Sequence, residues 1–273
     1  MTCFIASSEY EPATVLRSSS RSTILKKKIN LLMINFAFEA AGEAHFDAPS
    51  GKILQEQVAN ESAQYGDVIQ ADFRDTYRNL TLKSVFLLKW AYMYCAATRF
   101  VMKADDDIFV NVRNLLLFLR IQGSRRLRTR PFLAGHIYVT GEPERELGSK
   151  AYLPASVFAS EILPQYVSGP AYVMSKDAVR RLFTEALVTP FLYLEDVFIT
   201  GIVAPKVDVE LVNSPCFSGC AKLGDICKYR NTITAHSLPP DAMTSVWHDV
   251  RNASAKCQPL PANSPFASCY VRH

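Results

Sequence analysis

No apolar run in this chain is long enough to cross a bilayer. A spanning helix needs about 20 consecutive apolar residues, and the longest candidate, Val85 to Met102, is interrupted by Lys89 and Arg99. That stretch reads as a buried helix followed by a strand. The first residues also lack the charged-then-apolar layout of a signal peptide. There is no internal repeat and no low-complexity tract, which excludes solenoid architectures and predicts one domain over residues 1–273. No paired Cys-x-x-Cys occurs, which weighs against a structural zinc site. Nor is there a strong excess of one charge, since 30 Lys and Arg face 26 Asp and Glu for a formal net charge of +4. The basic residues are scattered except for Lys26-Lys27-Lys28 and the run from Arg125 to Arg130. Both runs read as solvated loops, and no basic face interleaved with aromatics suggests nucleic acid.

With 273 residues, 49% of them hydrophobic, the chain can bury one large core or two modest ones. Of its 7 cysteines, Cys216, Cys220, Cys227, Cys257 and Cys269 crowd into the Cys- and Pro-rich part that begins near residue 208. They read as a disulfide-stapled region, with a zinc site using His236 as the rival reading. Cys3 and Cys95 sit in apolar surroundings and read as core residues. Asn60-Glu-Ser62, Asn79-Leu-Thr81 and Asn252-Ala-Ser254 are glycosylation sequons, which with the late cysteines favours a lumenal chain.

Strand and helix patterns alternate through about residue 120, predicting a largely parallel α/β sheet. Strands are expected at Thr2–Ala6, Ile29–Phe38 and Asp67–Ile69. Helices are expected from Gly51 to Gly66, over Leu82–Cys95 with Thr81 as cap and apolar nearly all round, and over Val112–Ile121 with Asn111 as cap. A further strand is expected from Phe132, a small-residue turn feeding a strand over Tyr166–Met174, and a helix capped by Ser175.

The most informative stretch is Phe100-Val-Met-Lys-Ala-Asp105-Asp106-Asp107-Ile-Phe-Val-Asn111. Apolar residues on both sides place three consecutive carboxylates at the end of a buried strand. Like charges this close repel, and burial raises the cost of ionising all three. A cation removes that penalty, and hard oxygens suit Mg²⁺ or Mn²⁺ bridging protein carboxylates and substrate phosphates. An Asp-rich turn is the plainer reading of the same residues. Arg17 and Arg21, four apart, share a face if helical and fit either a diphosphate clamp or an exposed helix. Glu195 and Asp196 stand where an apolar run meets a helix start. They fit either a capping pair or a general base beside a phosphorylated donor.

Taken in order, the blocks Arg17-Ser-Ser-Ser-Arg21-Ser-Thr23, Tyr65-Gly-Asp67-Val-Ile69, Asp72-Phe-Arg-Asp75-Thr-Tyr77-Arg-Asn79-Leu-Thr81-Leu-Lys83, Lys103 to Asn111, Ser168-Gly169-Pro170-Ala171-Tyr172, Glu195 to Gly201 and Thr234-Ala-His236 resemble the galactosyltransferase-type inverting β-1,3-glycosyltransferases. The resemblance runs from about residue 3 to 250, and the ordered set is specific where a single block is not. It implies a GT-A-type nucleotide-sugar fold, a UDP-sugar donor, a glycan acceptor on protein or lipid, and a divalent ion, Mn²⁺ or Mg²⁺, in the Golgi lumen. It implies Asp105, Asp107 and His236 as metal ligands, Asp106 at the donor's ribose or sugar hydroxyls, and Arg17 and Arg21 at the uridine or diphosphate. Lys83, Lys103, Ser168 and Gly169 belong to the donor site by the same match. Asp196 is implied as the base for the acceptor's 3-hydroxyl, with Glu195 as the less favoured base and otherwise as a residue that orients the site or contacts an acceptor. The donor is expected to be UDP-galactose, with N-acetylglucosamine or N-acetylgalactosamine as alternatives. A non-catalytic glycan-binding relative and an unrelated phosphate-binding enzyme are the rival classes. The family's N-terminal membrane anchor is not among these residues, so the chain reads as a catalytic domain or one with an incomplete N-terminus. Ile24 replaces the family's usual Trp, and Val167 replaces its frequent Cys before Ser-Gly, which removes the expected disulfide partner of Cys95.

Overall fold

The computed structural model describes residues 31–36, 49–65, 68–73, 76–126, 130–221 and 226–252. Arg17, Arg21, Cys3, Cys257, Cys269 and the strand expected at 2–6 lie outside them. The central sheet has five strands in the order β1-β2-β5-β4-β6: β1 Leu31–Phe36, β2 Phe100–Asp105, β5 Tyr166–Ser175, β4 Phe132–Tyr138 and β6 Glu210–Asn213. A smaller sheet joins β3 Phe109–Val110, β8 Thr234–His236 and β7 Phe217–Ala221. The helices are α1 Pro49–Tyr65, α2 Leu80–Tyr94, α3 Val112–Arg126, α4 Lys176–Ala186, the short α5 Ala204–Lys206, α6 Ile226–Asn231 and α7 Pro240–Asn252. This α/β architecture is compatible with a GT-A fold.

The large sheet is mixed, with β1, β2, β4 and β6 running one way, as a mainly parallel sheet requires, and β5 against them. β1 runs parallel to β2, and β4 parallel to β6, but β5 lies antiparallel between β2 and β4. No sequence period reports strand direction, and β5 is where the direction changes. Of the strand expected at Asp67–Ile69, Asp67 lies outside the described residues and Val68 to Gln70 are irregular; the Gln70 amide exchanges two 2.9 Å hydrogen bonds with Gln55 of α1. The stretch from Tyr166 to Met174, expected as a turn feeding a strand, is strand throughout and belongs to the ten-residue β5. Pro170 is tolerated there because pairing with β4 shifts register between Gly135 and Ile137, and pairing with β2 starts only at Ala171. A proline at such an irregularity removes no ladder bond.

Both faces of the central strands β2, β4 and β5 are buried. Val101, Leu133, Tyr172 and Met174 face α2 and α4, with Leu87, Leu88, Val179 and Leu182 opposite. Phe100, Met102, Phe132 and Val173 point to the other side, where Leu115, Leu116 and Leu119 of α3 cover them. Strands buried on both sides read as continuous apolar runs, as Phe100–Met102 does. α2 departs from its expected burial all round. Leu87, Leu88 and Ala91 are inside, whereas Leu82, Tyr92, Met93 and Tyr94 are exposed.

Two expected caps are used elsewhere. Thr81 makes no helix cap; its hydroxyl donates to the carbonyl of Leu192 at 2.7 Å, tying α2 to the segment that carries Glu195. Ser175 stands at the N-cap of α4, but its Oγ accepts the Phe132 N–H at 3.1 Å. Asn111 does cap α3, its Oδ1 accepting the Asn114 N–H at 3.2 Å. Cys95 is a buried thiol, as its apolar setting implied.

Because Ser175 and Phe132 are both fully buried, Ser175→Ala strands a backbone donor without water. We expect a loss of about 1–3 kcal/mol in urea unfolding. A ΔΔG within about 0.3 kcal/mol would show that water reaches this amide.

Candidate active site

The strand directions set where the site lies. The carboxyl ends of β1, β2, β4 and β6 and the amino end of β5 all fall on one edge of the sheet. Ligands of open α/β sheets bind beyond the carboxyl ends of the strands. Asp105 ends β2 there, and Ser168 and Gly169 of β5 sit alongside.

Lys103 organises the interior of this edge. It is buried on the α2 face, and its ammonium donates 2.6 Å bonds to Asp105 Oδ1 and to the Gly169 carbonyl, with Glu195 Oε2 at 3.8 Å. Burial alone would lower its pKa. The carboxylates of Asp105 and Glu195 outweigh that and hold it above the ordinary value, so it stays charged. Glu195 is buried as well, and its Oε1 accepts from the Ser84 hydroxyl at 2.7 Å and the Tyr172 hydroxyl at 2.6 Å. Burial and the Glu195 charge push the Tyr172 phenol well above its usual range. Of the two roles expected for Glu195, orienting the site fits this packing. A side chain enclosed by Ser84, Tyr172 and Lys103 has no surface for an acceptor.

Asp196 is placed differently. It is the N-cap of a π-helical segment, Val197–Val203, with Oδ1 accepting the Val197 N–H at 2.9 Å and Oδ2 accepting the Gly169 N–H at 3.1 Å. Irregular helical turns of this kind are frequent at functional sites. A Cβ at Gly169 would lie 3.1 Å from Asp196 Oδ2, so a residue without a side chain lets strand and carboxylate meet. Burial, then the neighbouring Glu195 charge, raise the Asp196 pKa to about 6. The backbone donors and Lys103 pull the other way and do not cancel the rise. Asp196 is thus both a helix cap and a carboxylate of altered proton affinity.

Asp107 and His236 meet: Oδ2 and Nε2 are 3.1 Å apart. The small sheet brings them together. β3 follows Asp107 and pairs antiparallel with β8, Phe109 opposite Ala235, and the Leu238 N–H donates to the Asp107 carbonyl at 3.0 Å. Asn114 fixes the approach to β8 by donating 2.8 Å bonds to the carbonyls of Arg230 and Thr232. Asp105, in contrast, is turned inward to Lys103. The three expected ligands therefore do not converge, and among the described residues no group of three or more His, Cys, Asp and Glu is spaced to hold a metal. The pair still fits a divalent ion of the Mg²⁺ or Mn²⁺ type, which keeps waters and binds through one or two protein groups plus substrate phosphates. Asp106 is half-buried in the turn between β2 and β3, and Lys83 is half-buried in the first turn of α2.

Sequence reasoning missed the tyrosines. Burial, then the charges of Asp196, Glu195 and Asp105, hold Tyr77 up at about 12. Tyr166 is likewise raised to about 12 by burial and then by Asp196. Tyr77 lies inside the Asp72–Lys83 block, so its motif was visible although its place beside the acids was not.

The galactosyltransferase family model matches residues 46–215. The β-1,3-galactosyltransferase 1 of Homo sapiens, and that of Mus musculus, are each 34% identical over 198 residues, 72% of this chain and 60% of theirs. A lactosylceramide 1,3-N-acetyl-β-D-glucosaminyltransferase of Rattus norvegicus is 35% identical over 208 residues, 76% of this chain and 54% of its own. The chain thus spans a little over half the length of these curated relatives. A solved glycosyltransferase involved in glycosylating the major capsid of PBCV-1 aligns over 81% of this chain and 98% of its own, at 13% identity and a TM-score of 0.39. With more than half its length matched by that family model, the chain belongs to the galactosyltransferase family.

Lys103→Met leaves Glu195 buried beside Ser84 and Tyr172 with no cation. Breaking a buried pair from one side costs about 3–5 kcal/mol, so we expect that loss in denaturant unfolding at pH 7.5. Lys103→Met and Glu195→Gln combined should lose less than Lys103→Met alone. A double variant no more stable than the single one would show that the two charges are not coupled.

Proposed function

We propose that the chain is the catalytic domain of an inverting β-1,3-hexosyltransferase. It transfers galactose from UDP-galactose to the 3-hydroxyl of an acceptor sugar on a glycoprotein or glycolipid. The observation that carries this reading is Asp196, a carboxylate of raised pKa bonded to the Gly169 N–H at the strand edge where the Asp105–Asp107 turn emerges. A base tuned towards working pH, in a family of hexosyltransferases, suits proton removal from a sugar hydroxyl.

The acceptor's 3-hydroxyl loses its proton to Asp196 as its oxygen attacks C1 of the donor sugar, inverting that carbon as UDP departs. The two backbone N–H groups hold Asp196 in one rotamer, and the Glu195 charge behind it favours accepting the proton. Asp107 and His236 would hold Mn²⁺, which when bound neutralises charge on the departing diphosphate. Asp105 supports this pair indirectly, by fixing the strand end through Lys103. Asp106, Lys83 and Ser168, with Arg17 and Arg21, are proposed on the donor side.

The 35% identity to an N-acetylglucosaminyltransferase makes UDP-N-acetylglucosamine the second donor to assay. We propose the Golgi lumen as the compartment, with an N-terminal anchor holding the domain to the membrane. Among the described residues no helix is long and apolar enough to be that anchor. The late cysteines, Cys216 and Cys227 among them, are proposed to pair as disulfides, which would suit an oxidising compartment.

Asp107→Asn should abolish Mn²⁺-dependent UDP binding in calorimetry while the melting temperature holds. Wild-type affinity in that variant would remove Asp107 from the metal site. Asp196→Asn still caps the π-helical turn but cannot take a proton. Its transfer rate should fall at least about a hundredfold, with UDP binding near normal, whereas Glu195→Gln should lose mainly stability. The pH dependence has a definite sign. Asp196 must be ionised to act, so transfer in the parent chain should rise through about pH 6 and level off above it. A rate flat from pH 5 to 8 on an assay limited by chemistry would refute Asp196 as the base.

A further inference from the structure

β4 and β5 deliver aromatic rings to the same edge that carries Asp105 and Asp196. Tyr138, the last residue of β4, is the cross-strand partner of Tyr166, the first of β5. Their rings stand 5.3 Å apart at 31°, and His136 packs edge-on against Tyr138 at 5.1 Å and 85°. Cross-strand aromatic pairing alone explains such a contact when both rings are covered. Here Tyr138 keeps 40% of its surface exposed, as does 68% of Val139 beside it. Gly141 lies beside the pair, where a Cβ would come only into ordinary contact with Tyr166 Cε1, at 3.9 Å.

The pair also connects to the base. Val167, next to Tyr166, donates its N–H to Thr200 Oγ1 at 2.8 Å, and that hydroxyl donates to the Asp196 carbonyl at 2.6 Å. Gly201 of the same turn lies against Tyr166, whose Cβ would be 3.1 Å from a side chain placed there. The raised pKa of Tyr166, caused by burial and then by Asp196, agrees with that proximity.

We propose that Tyr138 and Tyr166, backed by His136, form the platform on which the acceptor sugar lies, a subsite for a pyranoside leading to Asp196. The proposal rests on the transferase reading for the identity of its ligand. One face of a hexopyranose presents C–H groups and is apolar, and aromatic faces carry the negative lobe of the ring quadrupole, so the two stack. Hydroxyls at the sugar's rim remain free to bond the Tyr138 and Tyr166 hydroxyls. A stacked ring fixes the sugar's plane while leaving its 3-hydroxyl to approach a carboxylate.

The test measures acceptor binding directly, by saturation-transfer NMR titration of the full chain. Methyl β-lactoside and methyl N-acetyl-β-D-glucosaminide are the probes, with UDP and Mn²⁺ present. One of them should bind the parent chain, with saturation strongest on the C–H protons of one sugar face. Tyr138→Ala should weaken that binding about five- to tenfold, and Tyr138→Leu, which keeps bulk at the strand end, should weaken it similarly. Tyr138→Phe should bind within about twofold of the parent, since the ring is retained. Affinity for UDP should not change in any variant. Unchanged saccharide affinity in Tyr138→Ala and Tyr138→Leu, equal losses in all three variants, or no binding of either probe to the parent chain would overturn the platform. If a probe binds through the rings yet no sugar is transferred from UDP-galactose or UDP-N-acetylglucosamine, the transferase reading fails and the platform stands.

Discussion

The ammonium of Lys103 is the constraint on which the site depends. A buried charge is tolerated only when paired and hydrogen-bonded, and each partner Lys103 uses belongs to a different turn of the chain. Asp105 comes from the end of β2, the Gly169 carbonyl from β5, and Glu195 from the segment ahead of the π-helical turn. Satisfying one cation therefore fixes three backbone positions. It also sorts the acids. In the aspartate cluster, Asp105 turns inward to the lysine and Asp107 turns to His236. In the second acidic pair, Glu195 turns inward and Asp196 is left against the Gly169 N–H. In each group Lys103 holds one carboxylate inward and leaves the other to different partners.

That sorting explains what was legible in the sequence. The Phe100–Asn111 stretch was readable because a strand buried on both faces must be apolar until it reaches the edge, so carboxylates mark where it ends. Asn111 was readable as a cap because capping is a local bond, three residues long. The acidic pair at 195 and 196 was readable as a base or as a cap, and Asp196 has the geometry of both. Which carboxylate of each group faces inward was not legible, since it depends on a lysine and a glutamate 92 positions apart meeting across the sheet. Thr81 and Ser175 fail as caps for the same reason. Their hydroxyls find partners 111 and 43 residues away, and a local pattern cannot register such a competitor. The direction of β5 is equally silent, because parallel and antiparallel strands share the same two-residue period.

The tyrosines show how the electrostatics assign roles. Burial first, and then each carboxylate that crowds this edge, opposes new negative charge, so Tyr77 and Tyr166 are held at about 12 and Tyr172 well above its usual range. Such phenols are donors at any physiological pH and do not act as bases. The same crowding acts on Asp196 but moves it only to about 6, because two backbone N–H groups and Lys103 stabilise its ionised form. The edge thus contains protonated donors, a permanently charged lysine, and one carboxylate whose proton affinity lies just below neutral pH. Raising a carboxylate further would improve it as a base but empty its ionised form under working conditions. Burial and Glu195 push Asp196 up, Val197, Gly169 and Lys103 push it down, and the balance leaves it mostly ionised at pH 7. Removing Lys103 would shift that balance upward even before the fold relaxed, so the proton affinity of Asp196 depends on a lysine that makes no hydrogen bond to it.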